Sequence, residues 1–144
     1  MYEHILIATD GSELATKGLD QGLKLAKQLG ARVTIVMVTD MWATTALSSA
    51  GAETIVQYEE SMRAAVKDVL DEAARFATET GVPHETRHIP NRYPADAIIE
   101  LAQEVGAGLI VMASHGRRGF RRMLLGSQTT EVLTASTVPV LVVR

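Results

Sequence analysis

The sequence contains no cysteine, which excludes disulfide bonds, thiolate catalysis, thiolate metal sites and thiol redox sensing. It also lacks any run approaching the roughly 18 apolar residues that a membrane helix requires. The apolar run Ile5–Ala8 near the start is too short for a signal peptide. We therefore expect a cytoplasmic protein that does not insert into a membrane.

The sequence also has no excess of positively charged residues. The chain has 14 lysines and arginines against 17 acidic residues, a net charge of −3. This charge argues against binding to nucleic acid or to an anionic membrane surface. Hydrophobic residues make up 47% and charged residues 22% of the 144 residues, a balance typical of a globular protein. The length predicts one domain over residues 1–144.

Short β-branched or apolar runs alternate with longer amphipathic stretches along the chain. The first apolar helix face ends at Gly30 and the second at Gly81. Pro94 suits the first turn of a third helix, and Ser127 is predicted to cap a fourth. The segment Thr39–Ala52 has no clear period, and we interpret it as a long irregular connection. Five strands are predicted within Tyr2–Thr9, Arg32–Val38, Pro83–Ile89, Leu109–Ala113 and Val138–Val143.

This order of elements predicts an α/β fold, a single open five-stranded parallel sheet with helices on both faces. Ligands of such doubly wound sheets bind beyond the carboxyl ends of the strands, where the winding direction reverses. If the first three strands wind outward to one side, the fourth strand returns beside the first. The predicted crevice then lies between Ala8-Thr9-Asp10 and Met112-Ala113-Ser114.

The segment that follows the fourth strand concentrates groups that bind phosphate. Its glycines let the backbone approach a ligand closely, and Gly126-Ser127 begins a helix whose free N–H groups attract anions. Arginines and hydroxyls add to these groups, namely Arg117, Arg118, Arg121, Arg122, Ser127, Thr129 and Thr130. Together they predict a polyphosphate cradle. The alternative is a solvated surface loop, or one that pairs with an acidic partner, and the two standard phosphate-loop fingerprints are absent.

With these motifs the chain resembles the universal stress proteins along its whole length. The likeness includes the opening run Ile5–Ser12, the strand end Val38-Thr39-Asp40 and the closing run Val138–Val143. ATP-binding members carry glycine, two residues, glycine, nine residues, then glycine followed by serine or threonine. The spacing is kept here, with alanine in place of the first glycine, at Ala113, Gly116, Gly126 and Ser127. The resemblance implies a Rossmann-like fold, similar to that of the adenine nucleotide alpha hydrolases, and ATP binding.

The resemblance also implies roles for residues at the base and sugar end of the nucleotide. Asp10 would hold the ribose or lie near the adenine, and the backbone of Val38 would form hydrogen bonds with the adenine. Other residues would lie beside Asp10 or line the floor of the site, namely Ala8, Thr9, Met112 and Ala113.

At the phosphate end, the resemblance implies that His115, Gly116 and Arg117 flank the phosphates. Backbone N–H groups and hydroxyls would bind the phosphate oxygens at Gly126, Ser127, Gln128 and Thr129. The ligand would be ATP, or ADP, AMP or cyclic AMP in its place, and Mg²⁺ is expected with a triphosphate.

A homodimer is implied too, paired through the last strand, Val138–Val143. That agrees with the hydrophobic character of this strand at a sheet edge, since an exposed edge of this kind needs cover. Further association of dimers is left open.

Several residues have a structural interpretation beside the functional one. Asp10 would cap the first helix if it did not contact a ligand, and Ser12 is the other candidate for that cap. His115 has no paired acid nearby in sequence, so a phosphate contact or a role in loop structure is favoured over a general base. Met41 and Trp42 would form a lid or a partner surface, or would simply pack beside the long connection.

The segment His84–His88 matches the H-E-x-x-H signature of zinc proteases. That chemistry needs a helix, so that residues four apart share one face. The flanking prolines, Pro83 and Pro90, and the predicted topology favour a strand. In a strand, residues four apart lie roughly 13 Å from each other, which is too far to share a zinc ion with bonds of about 2.0–2.1 Å.

Three functions follow from the sequence. The first is a cytoplasmic, ATP-binding dimer that acts as a nucleotide-responsive regulator on an unidentified protein partner. The second is a slow ATPase or a nucleotidyl-transfer relative on the same fold, although no residue stands out as a base. The third is an interaction protein that binds no nucleotide, which the alanine at position 113 keeps open.

Overall fold

The computed structural model describes residues 1–39, 51–116 and 125–144. Helices and strands alternate through these ranges, as predicted. None of the helices seen there has the length and apolar character needed to cross a lipid bilayer. In chain order the elements are β1 His4–Ala8, α1 Glu13–Leu29, β2 Arg32–Val38, α2 Ala52–Thr80, β3 His84–Ile89, α3 Pro94–Val105, β4 Leu109–Ala113, α4 Ser127–Ala135 and β5 Val140–Val143.

The strands form one five-stranded sheet in the order β3-β2-β1-β4-β5. Every neighbouring pair is parallel, and β1 is paired with β2 on one side and with β4 on the other. The chain therefore winds outward from β1 to β3 and returns to place β4 beside β1. This confirms the predicted sheet and the predicted point where the winding direction reverses.

Each face of the sheet is covered by a pair of helices. Alternate strand residues such as Ile7 and Ile35 pack with α1 and α2 in one core, and residues such as Leu6 and Ile110 pack with α3 and α4 in the other. All four of these strand side chains are 0% exposed. Burial on both faces explains why the central strands read as continuous apolar runs rather than as alternating patterns.

The helix ends follow the signals read from the sequence. Gly30 and Gly81 adopt left-handed conformations, with φ of 67° and 80°, and their N–H groups donate to carbonyls of the last turn. Pro94 begins α3. Of the two candidate caps for α1, Ser12 holds the position, and its hydroxyl accepts a hydrogen bond from the Ala15 N–H at 3.2 Å.

The last strand is shorter than predicted. It begins at Val140 rather than Val138, because Val138 is held in a turn by Ser136. The Val138 N–H donates to the Ser136 hydroxyl oxygen, and that hydroxyl donates to the Val138 carbonyl. Pro139 has no N–H to give to a ladder, although its carbonyl accepts from the Ile110 N–H at 2.9 Å.

Two buried glycines of α1 predict opposite responses to alanine. A Cβ at Gly18 would meet nothing closer than the Ala113 nitrogen at 3.7 Å, whereas one at Gly22 would lie 2.6 Å from Cδ1 of the fully buried Ile7. We expect Gly18→Ala to raise the free energy of unfolding by about 0.5–1 kcal/mol. We expect Gly22→Ala to lower it by about 1 kcal/mol or more, since the core must repack. Urea unfolding of the two variants tests this, and equal shifts would contradict the packing described.

A buried polar network ties the amino end of β1 to its neighbours. The Thr34 hydroxyl donates to Oε1 of Glu85 at 3.0 Å, so its oxygen accepts from Nε2 of His4 at 2.7 Å. Nδ1 of His4 then accepts from Nε of Arg32 at 3.1 Å. The Val105 carbonyl lies 3.0 Å from the same nitrogen and would accept a hydrogen bond from it only if Nδ1 carried a proton. The contact with Arg32 favours the neutral imidazole, and the contact with Val105 favours the protonated ring.

The two histidines with shifted pKa values predict how stability depends on pH. Burial, and then the Arg32 charge, lowers the pKa of His4. Burial, and then the Arg63 charge, lowers the pKa of His88. Below about pH 6.5 the unfolded chain therefore binds protons before the folded chain does. We expect the free energy of unfolding to be highest above about pH 6.5. It should fall as the pH drops from there toward the lowered pKa values of the two histidines in the folded chain. Urea titrations between about pH 7.5 and 5.5 measure this, and a gain in stability on acidification would contradict it.

Candidate functional site

The carboxyl ends of β1 and β4 are side by side in the middle of the sheet. Ile5, Leu6 and Ile7 pair in register with Leu109, Ile110 and Val111. The residues that follow each strand therefore leave the sheet next to each other. Since neighbouring crossovers go to opposite faces at this point, the topology places a crevice between them.

The wall of the crevice that follows β1 is a tight turn built on its own side chains. Gly11 takes a φ of 78°, and its N–H donates to the Thr9 hydroxyl oxygen at 3.2 Å. The Ser12 N–H donates to Oδ1 of Asp10 at 2.9 Å. Asp10 therefore braces the turn without being the cap of α1, and its carboxylate is fixed at the mouth of the crevice.

The opposite wall follows β4 and lies close to that carboxylate. A Cβ built on Gly116 would lie 2.5 Å from Oδ2 of Asp10, closer than two such atoms can approach. The φ of Gly116 is not positive. Glycine at this position therefore serves close approach rather than an unusual backbone conformation, and Asp10 and Gly116 are brought together as expected.

Ser114 ties the start of α4 to this wall. Its N–H donates to the Val143 carbonyl at 2.8 Å, and its carbonyl accepts from the Gly126 N–H at 2.6 Å. A Cβ on Gly126 would lie 3.1 Å from Cα of His115 and 3.2 Å from its Cβ. Gly126 thus lets the helix start pack directly on the backbone beside the crevice.

The first turn of α4 presents backbone donors at this edge. Gly126, rather than the predicted Ser127, is the N-cap, and Ser127 is the first residue of the helix. The Thr130 N–H donates back to the Gly126 carbonyl at 3.0 Å. The N–H groups of the three preceding residues have no carbonyl one turn back within the helix. With the positive end of the helix dipole, these groups form an environment that attracts anions.

Three side chains of this turn are engaged within the protein rather than at the crevice. Oε1 of Gln128 accepts from the Ala95 N–H at 3.0 Å, which joins α4 to the start of α3. The hydroxyl of Thr129 is buried and donates to the Ala113 carbonyl at 2.9 Å. Its only hydrogen is therefore already used inside the protein, as is that of Thr130, which donates to the Gly126 carbonyl. The predicted row of hydroxyls reduces to Ser127, while Ser127, Gln128 and Thr129 offer backbone N–H groups. The Gly126 N–H, which was also expected to bind phosphate, instead donates to the Ser114 carbonyl.

The backbone of Val38 faces the crevice side of β2. The Thr39 N–H donates to Ile89 on β3 at 3.0 Å, and backbone groups of successive strand residues point in opposite directions. The peptide groups of Val38 therefore point toward β1. They lie beyond the bond from the Thr9 N–H to the Val36 carbonyl, where β1 has turned away.

The floor of the crevice consists of strand residues. Met112 and Ala113 are buried at the end of β4, and Ala8 is half-buried at the end of β1. Asn91 is the only non-glycine residue with a positive φ in the described ranges. Ala113 therefore occupies the position of a glycine without backbone strain.

The remaining predicted residues divide into two groups. His115 is half-buried, with Nδ1 3.2 Å from the Ser114 hydroxyl, and belongs to the wall that follows β4, where its backbone packs beside Gly126. Arg117 and the other loop arginines lie outside the described residues, as do Met41, Trp42 and nearly all of the predicted connection Thr39–Ala52. Sequence reasoning missed the role of the Ser114 carbonyl, because a contact with Gly126 across an intervening loop leaves no periodic signal.

The H-E-x-x-H segment lies on a strand, as predicted. His84 and His88 belong to β3, where Nδ1 of His84 lies 2.8 Å from the Val82 carbonyl. Nε2 of His88 lies 3.0 Å from the Thr39 hydroxyl. The described residues contain no group of three or more histidine, aspartate or glutamate side chains placed to hold a metal ion.

Comparison with known sequences gives one consistent family. The model of the universal stress protein family matches residues 1–144. Universal stress protein YxiE of Bacillus subtilis is 36% identical over 149 residues, covering 100% of both chains. A universal stress protein of Methanocaldococcus jannaschii is 31% identical over 144 residues, covering 100% of this chain and 83% of the relative.

Comparison with solved structures gives the same fold. Universal stress protein UspA from Lactobacillus plantarum superposes with a TM-score of 0.86 at 24% identity, covering 99% of this chain and 98% of the other. A universal stress protein in complex with cAMP superposes with a TM-score of 0.74 at 26% identity, covering 99% and 97%. A third, from Archaeoglobus fulgidus in complex with dAMP, has a TM-score of 0.70 at 20% identity, covering 99% and 98%.

Proposed function

Because the chain belongs to the universal stress protein family, we propose that it binds an adenine nucleotide, foremost ATP, in the crevice between β1 and β4. The observation that carries the proposal is the position of the first turn of α4. The hydrogen bond from the Gly126 N–H to the Ser114 carbonyl holds that turn at the carboxyl ends of the two strands. Its free N–H groups suit the phosphates, and the backbone of Val38 suits the base.

A structural relative with cAMP bound supports an adenine nucleotide over other phosphates. The lining of the crevice agrees with this choice. Asp10, fixed by the Ser12 N–H, is placed to accept hydrogen bonds from a ribose. Because neither Gly116 nor Gly126 carries a side chain, Asp10 and the start of α4 approach the backbone that follows β4 closely. A triphosphate would bring Mg²⁺, which keeps several waters and binds mainly to phosphate oxygens.

The chain's own groups fit binding better than turnover. Asp10 braces a turn, and His115 lies beside the Ser114 hydroxyl with no carboxylate bonded to its ring in the described structure. Neither arrangement orients a base toward an attacking water. We therefore propose a cytoplasmic regulator rather than an ATPase. Nucleotide binding would favour one surface over another for a protein partner, which requires different affinities in the two states.

Calorimetric titration of the nucleotide-stripped protein with ATP, ADP, AMP and cAMP tests the proposal. We expect one adenine nucleotide per chain, with GTP bound much more weakly. Analysis of nucleotide released from the purified, denatured protein provides a second measurement. Stoichiometric ATP binding without phosphate release would reject the ATPase. Absence of binding, together with no co-purified nucleotide and no thermal shift in Mg-ATP, would instead favour an interaction protein that uses no nucleotide.

A further inference from the structure

A second cavity lies beside the crevice, at the carboxyl ends of β2 and β3. It has a volume of about 220 Å³ and is lined by four residues of α2, namely Tyr58, Glu59, Met62 and Arg63, and by Thr39 and His88 of the sheet. The crevice lies between β1 and β4. The centre of the cavity is therefore about two strand spacings, or roughly 10 Å, from the gap between β1 and β4. Thr39 adjoins Val38, which is assigned to the base, but the lining includes none of the residues assigned to the nucleotide.

The cavity has a fixed wall on the sheet side. Thr39 is bonded to His88 through its hydroxyl at 3.0 Å, and its carbonyl accepts from the Arg92 N–H at 3.2 Å. Arg92 in turn pairs with Glu100 of α3 at 2.7 Å. Between them, Pro90 and Asn91 complete the lining, and Asn91 takes a left-handed φ of 55°. These contacts shape the wall before any ligand arrives.

The α2 wall carries both signs of charge. Glu59 and Arg63 are one helical turn apart, a spacing that places side chains about 5–6 Å from each other at Cβ. Neither belongs to any of the ion pairs found among the described residues. Tyr58 and Met62, on the same helix, add an aromatic ring and an apolar chain. The cavity therefore offers one cation, one anion and an apolar surface at close range.

We propose that this cavity binds a small α-amino acid with an apolar side chain, of about the size of leucine. Arg63 holds the carboxylate, with His88 and Asn91 beside it, and Glu59 holds the ammonium group. The two charges of an α-amino acid sit on the same carbon, which suits partners one helical turn apart. A cavity of about 220 Å³ accommodates a ligand of this size. The inference does not depend on nucleotide binding in the crevice.

Titration of isotope-labelled, nucleotide-free protein with L-leucine tests the proposal by NMR. We expect saturable shifts at Thr39, His88 and Asn91, with Gly116 and Gly126 unmoved. Two analogues separate the charges: 4-methylpentanoate lacks the ammonium group, and 3-methylbutylamine lacks the carboxylate. Each should bind about tenfold more weakly than leucine or worse, since each loses a hydrogen bond to a charged group.

Matched substitutions assign the charges to residues. Arg63→Gln should weaken leucine binding about tenfold and leave 3-methylbutylamine unaffected, and Glu59→Gln should weaken leucine while sparing 4-methylpentanoate. Lys67→Gln and Glu60→Gln remove one positive and one negative charge from exposed positions of α2 outside the lining. Both variants should bind leucine as the unchanged protein does. Thermal unfolding of each variant serves as the control that all four still fold.

Three results would overturn the proposal. One is the absence of saturable shifts at the cavity residues with L-leucine. Another is equal weakening by Arg63→Gln and Lys67→Gln, which would show a general effect of charge. The third is shifts at Gly116 and Gly126 in place of the cavity residues, which would assign the amino acid to the crevice.

Discussion

Gly126→Val is expected to lower the affinity for ATP about 100-fold or more. A Cβ at this position already lies 3.1 Å from Cα of His115, and the two methyl groups of valine have no space beside it. The start of α4 must move away from Ser114, and the bond from the Gly126 N–H to the Ser114 carbonyl is lost. Hydrogen bonds to a charged group contribute about 1.5–3 kcal/mol each, so displacing two N–H groups from the phosphates accounts for the expected loss.

Ser127→Ala provides the matched control. It removes a hydroxyl from the same turn while leaving every backbone N–H in place, so we expect a loss of only a few-fold. Valine is also a poor N-cap, at a cost of about 1 kcal/mol, and thermal unfolding separates this effect from the loss of binding. If Ser127→Ala weakened ATP binding as much as Gly126→Val, the hydroxyl rather than the backbone would hold the phosphates.

The fold was predictable because its signals are local. Apolar runs such as Arg32–Val38 and Leu109–Ala113 match the strands residue for residue. Gly30 and Gly81 end their helices because each must take a left-handed conformation that other residues disfavour. Once the alternation of strands and helices was established, the parallel sheet and the position of the crevice followed from topology.

The contacts inside the site were less predictable because they join distant segments. Gln128 accepts a hydrogen bond from Ala95, 33 residues away, and Thr129 donates to the Ala113 carbonyl. The sequence shows polar residues at a helix start but not which partners they have. The motif therefore predicted hydroxyl ligands, whereas packing between α3, α4 and β4 leaves mainly backbone N–H groups.

The cavity at β2 and β3 was missed for a related reason. His88 drew attention only as part of a zinc signature, which its position on a strand excludes. Arg63 lies on a long helix where charged residues are common, and nothing in the sequence places it opposite His88. The two meet because α2 packs over the edge of the sheet, a contact between elements that no short-range pattern encodes.

The second prediction with a large expected effect concerns pairing through the edge strand β5. We propose that two copies of the chain pair through it to form a homodimer. The opposite edge, β3, carries Glu85 and Arg87, and Arg87 forms ion pairs with Glu85 and with Glu104 of α3. Charged side chains of this kind prevent a strand from pairing with another chain. The sequence of β5 is VLVV, without a charge, and Leu141 is 37% exposed.

Leu141→Lys is expected to convert the dimer to a monomer. Pairing of two β5 strands about a twofold axis would bring each Leu141 close to the partner strand. Two introduced lysines would then repel each other and lose water without gaining an opposite charge. We expect the dissociation constant to rise about 100-fold or more, so that sedimentation velocity gives a mass of 15.5 kDa in place of twice that value.

Leu29→Lys is the matched control, since it adds the same charge at an exposed leucine outside β5. Leu29 is 49% exposed at the end of α1, at the amino edge of the sheet, and the variant should remain dimeric.

A four-residue strand is only about 13 Å long, whereas a stable interface buries about 800 Å² on each partner. The surfaces flanking β5 must therefore contribute, and Leu141→Lys acts by opening the centre of a larger contact. A wild-type chain that sediments as a monomer would contradict the pairing, and a Leu141→Lys variant that stays dimeric would move the interface away from β5.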